Sequence, residues 1–270
     1  MRKTILITGS TDGIGLATAK QLISDGHQVL IHGRNATKLD EVATTLSQSL
    51  PSGQVDAYQA DLSRMSEVIQ LAHNVARHHG EIDVLINNAG IFRTSAPIAE
   101  NGMDVRFMVN TIAPYVLTQH LLPQLNRYSR VVNLSSAAQA PIDIDALSGH
   151  HHLDDEFQAY AQSKLALTIW SREMALDMGK QGPTIVAVNP GSMLGSKMVQ
   201  EGFGVTGGDI GIGADILARA ALSDEFMDAS GQYFDNDSCK FAAPHQEALN
   251  PAKVSQVMAA IDLVSARLGG

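Results

Sequence analysis

Thr4-Ile5-Leu6-Ile7-Thr8-Gly9-Ser10-Thr11-Asp12-Gly13-Ile14-Gly15 is the stretch that decides the fold. A short β-branched run passes into a glycine turn, and a helical pattern follows over residues 14–24. Strand, glycine turn and helix in that order are what a pyrophosphate site requires. Glycine lets the backbone approach the phosphates, and the helix start offers unpaired N–H groups at the positive end of its dipole. The spacing is G-x-x-x-G-x-G rather than G-x-G-x-x-G, so the turn has to be read with its surroundings.

Outward from that turn, short apolar runs at residues 4–8, 29–32, 55–60, 84–87, 130–134 and 184–189 read as strands. Each is apolar on both sides of the two-residue period, as a strand covered on both faces should be. Helix-length patterns lie between them: residues 14–24, 37–50, 66–78, about 103–125, and 158–178. A last helix over 251–268 places Val254, Val257, Met258, Ile261 and Val264 on one stripe, read as core packing or a subunit contact. Strands alternating with helices argue for parallel βαβ units. Two irregular stretches, about 140–156 and the glycine-rich 191–213, break the rhythm without marking a boundary, so residues 1–270 read as a single dinucleotide-binding domain.

Composition excludes several classes. A formal charge of −9 with no cluster of Lys or Arg argues against a nucleic-acid partner. The apolar run after Met1-Arg2-Lys3 stops after three residues, too short for a secretion signal, and no run approaches a membrane span. The one cysteine, Cys239, cannot form an internal disulfide and fits a reducing compartment. The expectation is a cytoplasmic protein that does not engage a membrane. His150-His151-His152 lies beside Asp154, Asp155 and Glu156 but lacks the separated spacing of metal ligands, so no metal is expected.

His32-Gly33-Arg34-Asn35 closes the second strand where an NAD enzyme usually carries an acid for the ribose 2′-hydroxyl. Gly33 removes the repulsion an acid would exert on a 2′-phosphate, and Arg34 offers a two-pronged fork to it. NADP(H) is therefore preferred, with NAD(H) as the alternative; Asp12 in the glycine turn counts against the preference. Further on, Tyr160 and Lys164 stand at i and i+4 on one helix face. Lowering a phenol from about 10 to about 7 needs roughly 4 kcal/mol. A unit charge about 4 Å away at an effective dielectric near 20 supplies about that. Ser135-Ser136 ends one strand and Asn87-Asn88-Ala89-Gly90 another, at the carboxyl edge where open α/β sheets bind ligands. Asn110, four residues before Pro114, interrupts a helical pattern and needs a reason.

Taken together, Thr8–Gly15, Asp61, Asn87–Gly90, Asn110, Ser136, Tyr160/Lys164 and Pro190-Gly191 resemble the short-chain dehydrogenase/reductase family over about the first 200 residues. The resemblance implies an α/β fold, a Rossmann-type doubly wound parallel sheet of about seven strands with helices on both faces. It implies hydride transfer between a nicotinamide and a small carbonyl or alcohol substrate. Tyr160 would be the general acid or base, Ser136 would hold the substrate oxygen, and Lys164 would lower the phenol and bind the ribose. Asn110 would position a water in a proton relay. Cofactor contacts would come from Gly9, Ser10, Thr11, Asp12, Gly13, Ile14 and Gly15, from Arg34 and Asn35, and from Asp61 and Leu62 near the adenine. Asn87 and Ala89 would lie near the ribose, and Pro190 and Met193 by the carboxamide. The 24-residue gap from Ser136 to Tyr160 is long and resembles the retinol dehydrogenase and protochlorophyllide reductase-like branch, as do Arg34 and Gln158-Ala159-Tyr160. Where the family tends to have Thr after Pro-Gly, this chain has Gly195-Ser196. Residues 191–213 are expected to close over the substrate, and their apolar members Met193, Leu194, Met198, Val199, Phe203 and Val205 suggest a lipophilic one. Alternatives are a nucleotide-binding sensor without chemistry and an NAD-linked enzyme of the same fold. A homo-oligomer is the expected assembly.

Overall fold

A computed structural model describes residues 1–49 and 53–269; residues 50–52 and 270 and the side chain of Phe203 lie outside that description. The expected helix end at Leu50 is therefore outside it. The first six strands are β1 (Thr4–Ile7), β2 (Gln28–Gly33), β3 (Gln54–Gln59), β4 (Val84–Asn87), β5 (Arg130–Leu134) and β6 (Thr184–Asn189). With β7 (Tyr233–Asp235) and β8 (Lys240–Ala242) they make one sheet in the order 3-2-1-4-5-6-7-8. All neighbours are parallel except β7 and β8. The doubly wound α/β sheet expected from the sequence is present, with an eighth, antiparallel edge strand added.

Alternation along the strands builds two cores. Ile5 and Ile7 face one apolar cluster, with Val29, Ile31, Val84, Ile86 and Val132. Leu6, Leu30, Leu85 and Val131 face the other. Successive side chains of a strand point to opposite faces, so a run apolar at every position is what a sheet covered on both sides demands. Covering helices are α1 (Gly13–Ser24), α2 (Ala36–Ser49), α3 (Met65–His78), the short α4 (Val105–Phe107) and α5 (Ala113–Leu121). They continue with α6 (Ile144–Leu147), α7 (Glu156–Met178), α8 (Lys197–Phe203), α9 (Ile210–Leu222) and α10 (Pro251–Gly269).

Three expectations need correction. The helix expected over about 103–125 is broken: α4 and α5 are joined by a π-turn over Met108–Ile112, where Ala113 N–H reaches back to Met108 O. Pro114 lacks the N–H that would meet Asn110 O four residues earlier, which favours such a break. Residues 191–213 are not irregular throughout, since they hold α8 and the start of α9. Gly211 and Gly213 hid α9. A Cβ at Gly213 would stand 2.7 Å from Leu194 Cδ1 and 3.1 Å from Ile14, so glycine there admits the close approach of α9 to α1. Residues 140–156 fold as well: Asp143 caps α6, and Arg267 on α10 donates to Ser148 O at 3.1 Å. The α10 stripe is core packing in this chain, with Val254, Val257, Ile261 and Val264 buried and Tyr115 Oη donating to Asp262 at 2.6 Å.

Candidate active site

Strand order reverses between β1 and β4, and the chain segments leaving their carboxyl ends interlock there. Gly9 has φ +64°, and a Cβ on it would lie 2.8 Å from Ala89 Cα. Ala89 N–H donates to Thr8 Oγ1 at 3.0 Å, and Asn88 Nδ2 donates to Thr8 O and Gly9 O at 2.9 and 3.0 Å. A Cβ at Gly15 would strike Asn88 Nδ2 at 2.4 Å. Ser10 is fully buried and spends its hydroxyl inside the turn, donating to Ile7 O and accepting from His32 N–H, each at 2.9 Å. His32, also buried, accepts from Gly9 N–H at Nδ1 (3.0 Å), which leaves Nε2–H to donate to Ala60 O (3.1 Å). Burial holds this imidazole down at about 4, so it is the neutral tautomer that braces the turn.

Asp12 caps α1, its carboxylate accepting from Gly13 N–H. Gly13 has φ +56°, and nothing comes within 3.9 Å of where its Cβ would stand; Ile210 and Ser196 bound the far side of that gap. The structure thus leaves open space over Gly13 at a helix amino terminus, which fits a dinucleotide pyrophosphate. At its edge Arg34 is exposed and Asn35 Oδ1 accepts from Lys38 N–H at the start of α2 (2.9 Å). Lys38 Nζ pairs with Asp12 at 2.6 Å and holds that carboxyl below its ordinary range. The objection that Asp12 repels a 2′-phosphate is therefore met by a cation that only the fold brings to it. Gly33 also has a steric reason, since a Cβ there would lie 2.6 Å from Thr11 Cγ2. Asp61 accepts from Ser63 N–H and Oγ after β3, and Leu62 is buried behind it.

At the other end of the cleft the serine doublet separates by strand alternation. Ser135 is buried and its hydroxyl is bonded to Thr168 Oγ1 at 2.6 Å. Ser136 is half-buried and hydrogen-bonds the Tyr160 phenol. Gln139 Nε2 (2.9 Å) and Tyr233 Oη (3.1 Å) both donate to Ser136 O, two supports that sequence reasoning missed. Lys164 Nζ donates to Leu134 O at 2.7 Å and lies 5.8 Å from the centre of the Tyr160 ring. Burial pulls this ammonium down to about 8, so it stays mostly protonated at neutral pH.

The phenol itself departs from expectation. Burial pushes Tyr160 up, and the hydrogen bond with Ser136 offsets that only in part. In this structure the cation one turn along does not by itself lower the phenol.

Asn110 explains its place in the π-turn. Its Oδ1 accepts from Ile91 N–H (2.8 Å), while Nδ2 donates to Ile91 O and to Ser163 Oγ (each 2.9 Å). Ser163 Oγ donates in turn to Tyr160 O (2.7 Å), so the side chain of Asn110 is a brace between the β4 loop and α7. A Cβ at Gly90 would stand 3.4 Å from both Asn110 Oδ1 and Lys164 Nζ and 3.7 Å from Met198 Cε. Asn87 is buried, with Nδ2 on Thr118 and Asn133. On the last loop, Pro190 O accepts from Asn236 Nδ2 (2.9 Å), and Asp237 accepts from Ser192 N–H (2.7 Å). Met193 is held at φ +55°, a conformation rare outside glycine that marks a constrained site. The histidine run is elsewhere: His151 Nδ1 pairs with Asp143 at 2.9 Å, and among the described residues no group of three or more His, Cys, Asp or Glu could hold a metal. No described helix is long and apolar enough to cross a membrane.

The chain belongs to the short chain dehydrogenase family, whose sequence profile matches residues 3–204. It is 30% identical over 263 residues to retinol dehydrogenase 13 of Homo sapiens, covering 91% of this chain and 80% of that protein. It is 29% identical over 269 residues to short-chain dehydrogenase TIC 32 A, chloroplastic, of Brassica napus, covering 92% and 83%. Among solved structures, an uncharacterised protein from Mycobacterium Paratuberculosis superposes with a TM-score of 0.81 at 25% identity, over 98% of this chain and 93% of that one. A blue fluorescent protein from a metagenomic library, solved with NADPH, superposes at 0.69 and 27% identity, over 89% and 98%. The protein is an oxidoreductase of the retinol dehydrogenase-like branch, acting by hydride transfer with a nicotinamide cofactor.

Proposed function

We propose that the protein is an NADP(H)-dependent oxidoreductase acting on the carbonyl/alcohol pair of a small lipophilic substrate, with Tyr160 as general acid in reduction and general base in oxidation. The observation that carries this reading is the meeting of Lys164 Nζ and Asn110 Oδ1 in front of Gly90, with the Tyr160 ring beside that ammonium and Ser136 at its phenol. When bound, the nicotinamide donates or accepts the hydride. Gly9, Ser10, Thr11, Asp12, Gly13, Ile14 and Gly15 would hold its pyrophosphate, Arg34 and Lys38 a 2′-phosphate, and Asp61 and Leu62 the adenine side. Asn87, Ala89 and Lys164 would meet the ribose, and Pro190 and Met193 the carboxamide.

In reduction the Tyr160 phenol gives its proton to the carbonyl oxygen as hydride reaches the carbon, and Ser136 Oγ holds that oxygen. The resulting phenolate is stabilised by the Lys164 ammonium and by the positive charge of the oxidised ring, which adds to the lysine's incomplete effect. The proton is restored through Lys164 and a water held beside Asn110, whose carbonyl Pro114 cannot satisfy. NADP(H) is preferred because Arg34 and Lys38 bring positive charge to the ribose corner while the Asp12 carboxylate is already paired; related structures solved with NADP or NADPH support this. Phe92 beside the Tyr160 ring (centres 5.1 Å apart), with Phe157 against Phe92 (6.1 Å), supports an apolar substrate. NADPH oxidation across a panel of ketones and aldehydes, with Tyr160→Phe beside the wild type, tests the reading. Turnover that disappears in Tyr160→Phe supports it. Tight NADPH binding with wild-type turnover no faster than that of Tyr160→Phe would replace it with a sensor.

A further inference from the structure

We propose that Arg93 is a positioning residue for the reaction at Tyr160, holding α8 over the phenol by capping that helix's carboxyl end while paired to the start of α7. The proposal rests on the reading of Tyr160 as the acid–base group. Seven residues make a helix too short to persist unaided, so α8 depends on its ends. Ser196 Oγ accepts from Val199 N–H at one end (3.3 Å), and Gly204, left-handed at φ +70°, donates to Gln200 O at the other (2.9 Å). The carbonyls beyond Gln200 still need partners. Arg93 Nη1 donates to Glu201 O at 3.2 Å, and a cation there also complements the helix dipole.

The other side of the same guanidinium faces the catalytic helix. Arg93 Nε lies 3.5 Å from Glu156 Oε2, and Glu156 Oε1 lies 3.6 Å from Arg106 Nη1. Glu156 opens α7 one turn before Tyr160, and Arg106 stands one turn before Asn110. Arg106 is buried and forks onto Asp104 at 2.9 and 2.7 Å, so this end of the chain of charges is fixed. The Glu201 carboxylate is turned to Lys197 at 3.5 Å and leaves only its carbonyl to Arg93. Beneath the ionic path runs an aromatic one. A Cβ at Gly202 would lie 2.6 Å from the Phe92 ring, which lies against Tyr160, and Met198 reaches toward Lys164 in front of Gly90. Where α8 sits therefore sets the space above the phenol, and Arg93 ties α8 to the two segments that carry Tyr160 and Asn110.

Amide hydrogen exchange of residues 197–204 and steady-state kinetics, measured on wild type, Arg93→Ala, Arg93→Lys and Tyr160→Phe, test this. Half-exposed ion pairs carry up to about fivefold in an equilibrium, and the carbonyl cap adds to that. Arg93→Ala should speed exchange of α8 by about five- to tenfold while the amides of α7 keep their wild-type rates. It should raise KM for the carbonyl substrate by a similar factor with kcat within about twofold, and Arg93→Lys should recover part of both. Added salt should raise the wild-type KM and leave that of Arg93→Ala unmoved. Unchanged α8 exchange in Arg93→Ala overturns the proposal, as does faster exchange spread equally over α7, or faster α8 exchange with KM unmoved. Turnover retained by Tyr160→Phe instead refutes the acid–base reading, and the exchange data, which need no turnover, show whether the latch stands apart from it.

Discussion

Replacing His32 with Gln should remove a specific acid sensitivity from the nucleotide end of the fold. His32 is buried and neutral, with Nδ1 accepting from Gly9 N–H and Nε2–H donating to Ala60 O. Its folded-state value is depressed, so between pH 6.5 and 4 the unfolded chain binds more protons and stability falls as pH falls. With 6.5 unfolded and about 4 folded, the loss is about 2 kcal/mol between pH 7 and 5 and about 3 kcal/mol by pH 4. The protonated ring would also point a donor at the Gly9 N–H, so NADPH affinity should weaken over the same window. Gln can accept and donate at similar positions without titrating. Urea unfolding followed through Trp170, the sole tryptophan and fully buried, gives the stabilities at each pH. His27 and His79 are also lowered by burial, but both proteins carry them and they cancel in the difference. A difference between wild type and His32→Gln that stays constant from pH 7 to 5 would refute the reasoning.

Further outcomes follow from other contacts. Gly9→Ala meets both a left-handed backbone and Ala89 Cα at 2.8 Å, and should cost about 2–4 kcal/mol by denaturant unfolding and abolish NADPH binding. Lys38→Met should weaken NADPH about tenfold or more while NADH affinity stays within about twofold, because it removes a phosphate partner and exposes the Asp12 charge; adding Asp12→Asn should restore part of the loss, both measured by fluorescence titration. Arg106→Met strands the buried Asp104 carboxylate and should cost about 3–5 kcal/mol by chemical denaturation.

The glycine turn and the central strands were legible because runs such as Ile5-Leu6-Ile7 are apolar at every position, a pattern that only a sheet covered on both faces satisfies. Strands β7 and β8 were not, since three residues cannot display a period. Gly211 and Gly213 disguised α9 because their purpose, a close pass over α1, is visible only in three dimensions. Pro114 did announce an interruption, and its form as a π-turn follows from the bond between Ala113 and Met108. The two serines part only in three dimensions, Ser135 to Thr168 and Ser136 to the Tyr160 phenol; the spelling of the doublet carries no such difference. What sequence could not weigh was burial. The Tyr160–Lys164 spacing predicts a lowered phenol, yet desolvation reverses the sign. Nor could it bring Lys38 to Asp12, 26 residues away, or Arg93 to Glu156, since both contacts depend on how loops return to one sheet edge.

The sharpest test of the account needs no substrate: titrate tyrosinate absorbance of wild type and Tyr160→Phe, with and without saturating NADP+, and take the difference. The Tyr160 phenol should ionise above its ordinary value of about 10 alone, and clearly below that value once the oxidised ring adds its charge to that of Lys164. A phenol that stays above 10 with the cofactor bound would contradict it.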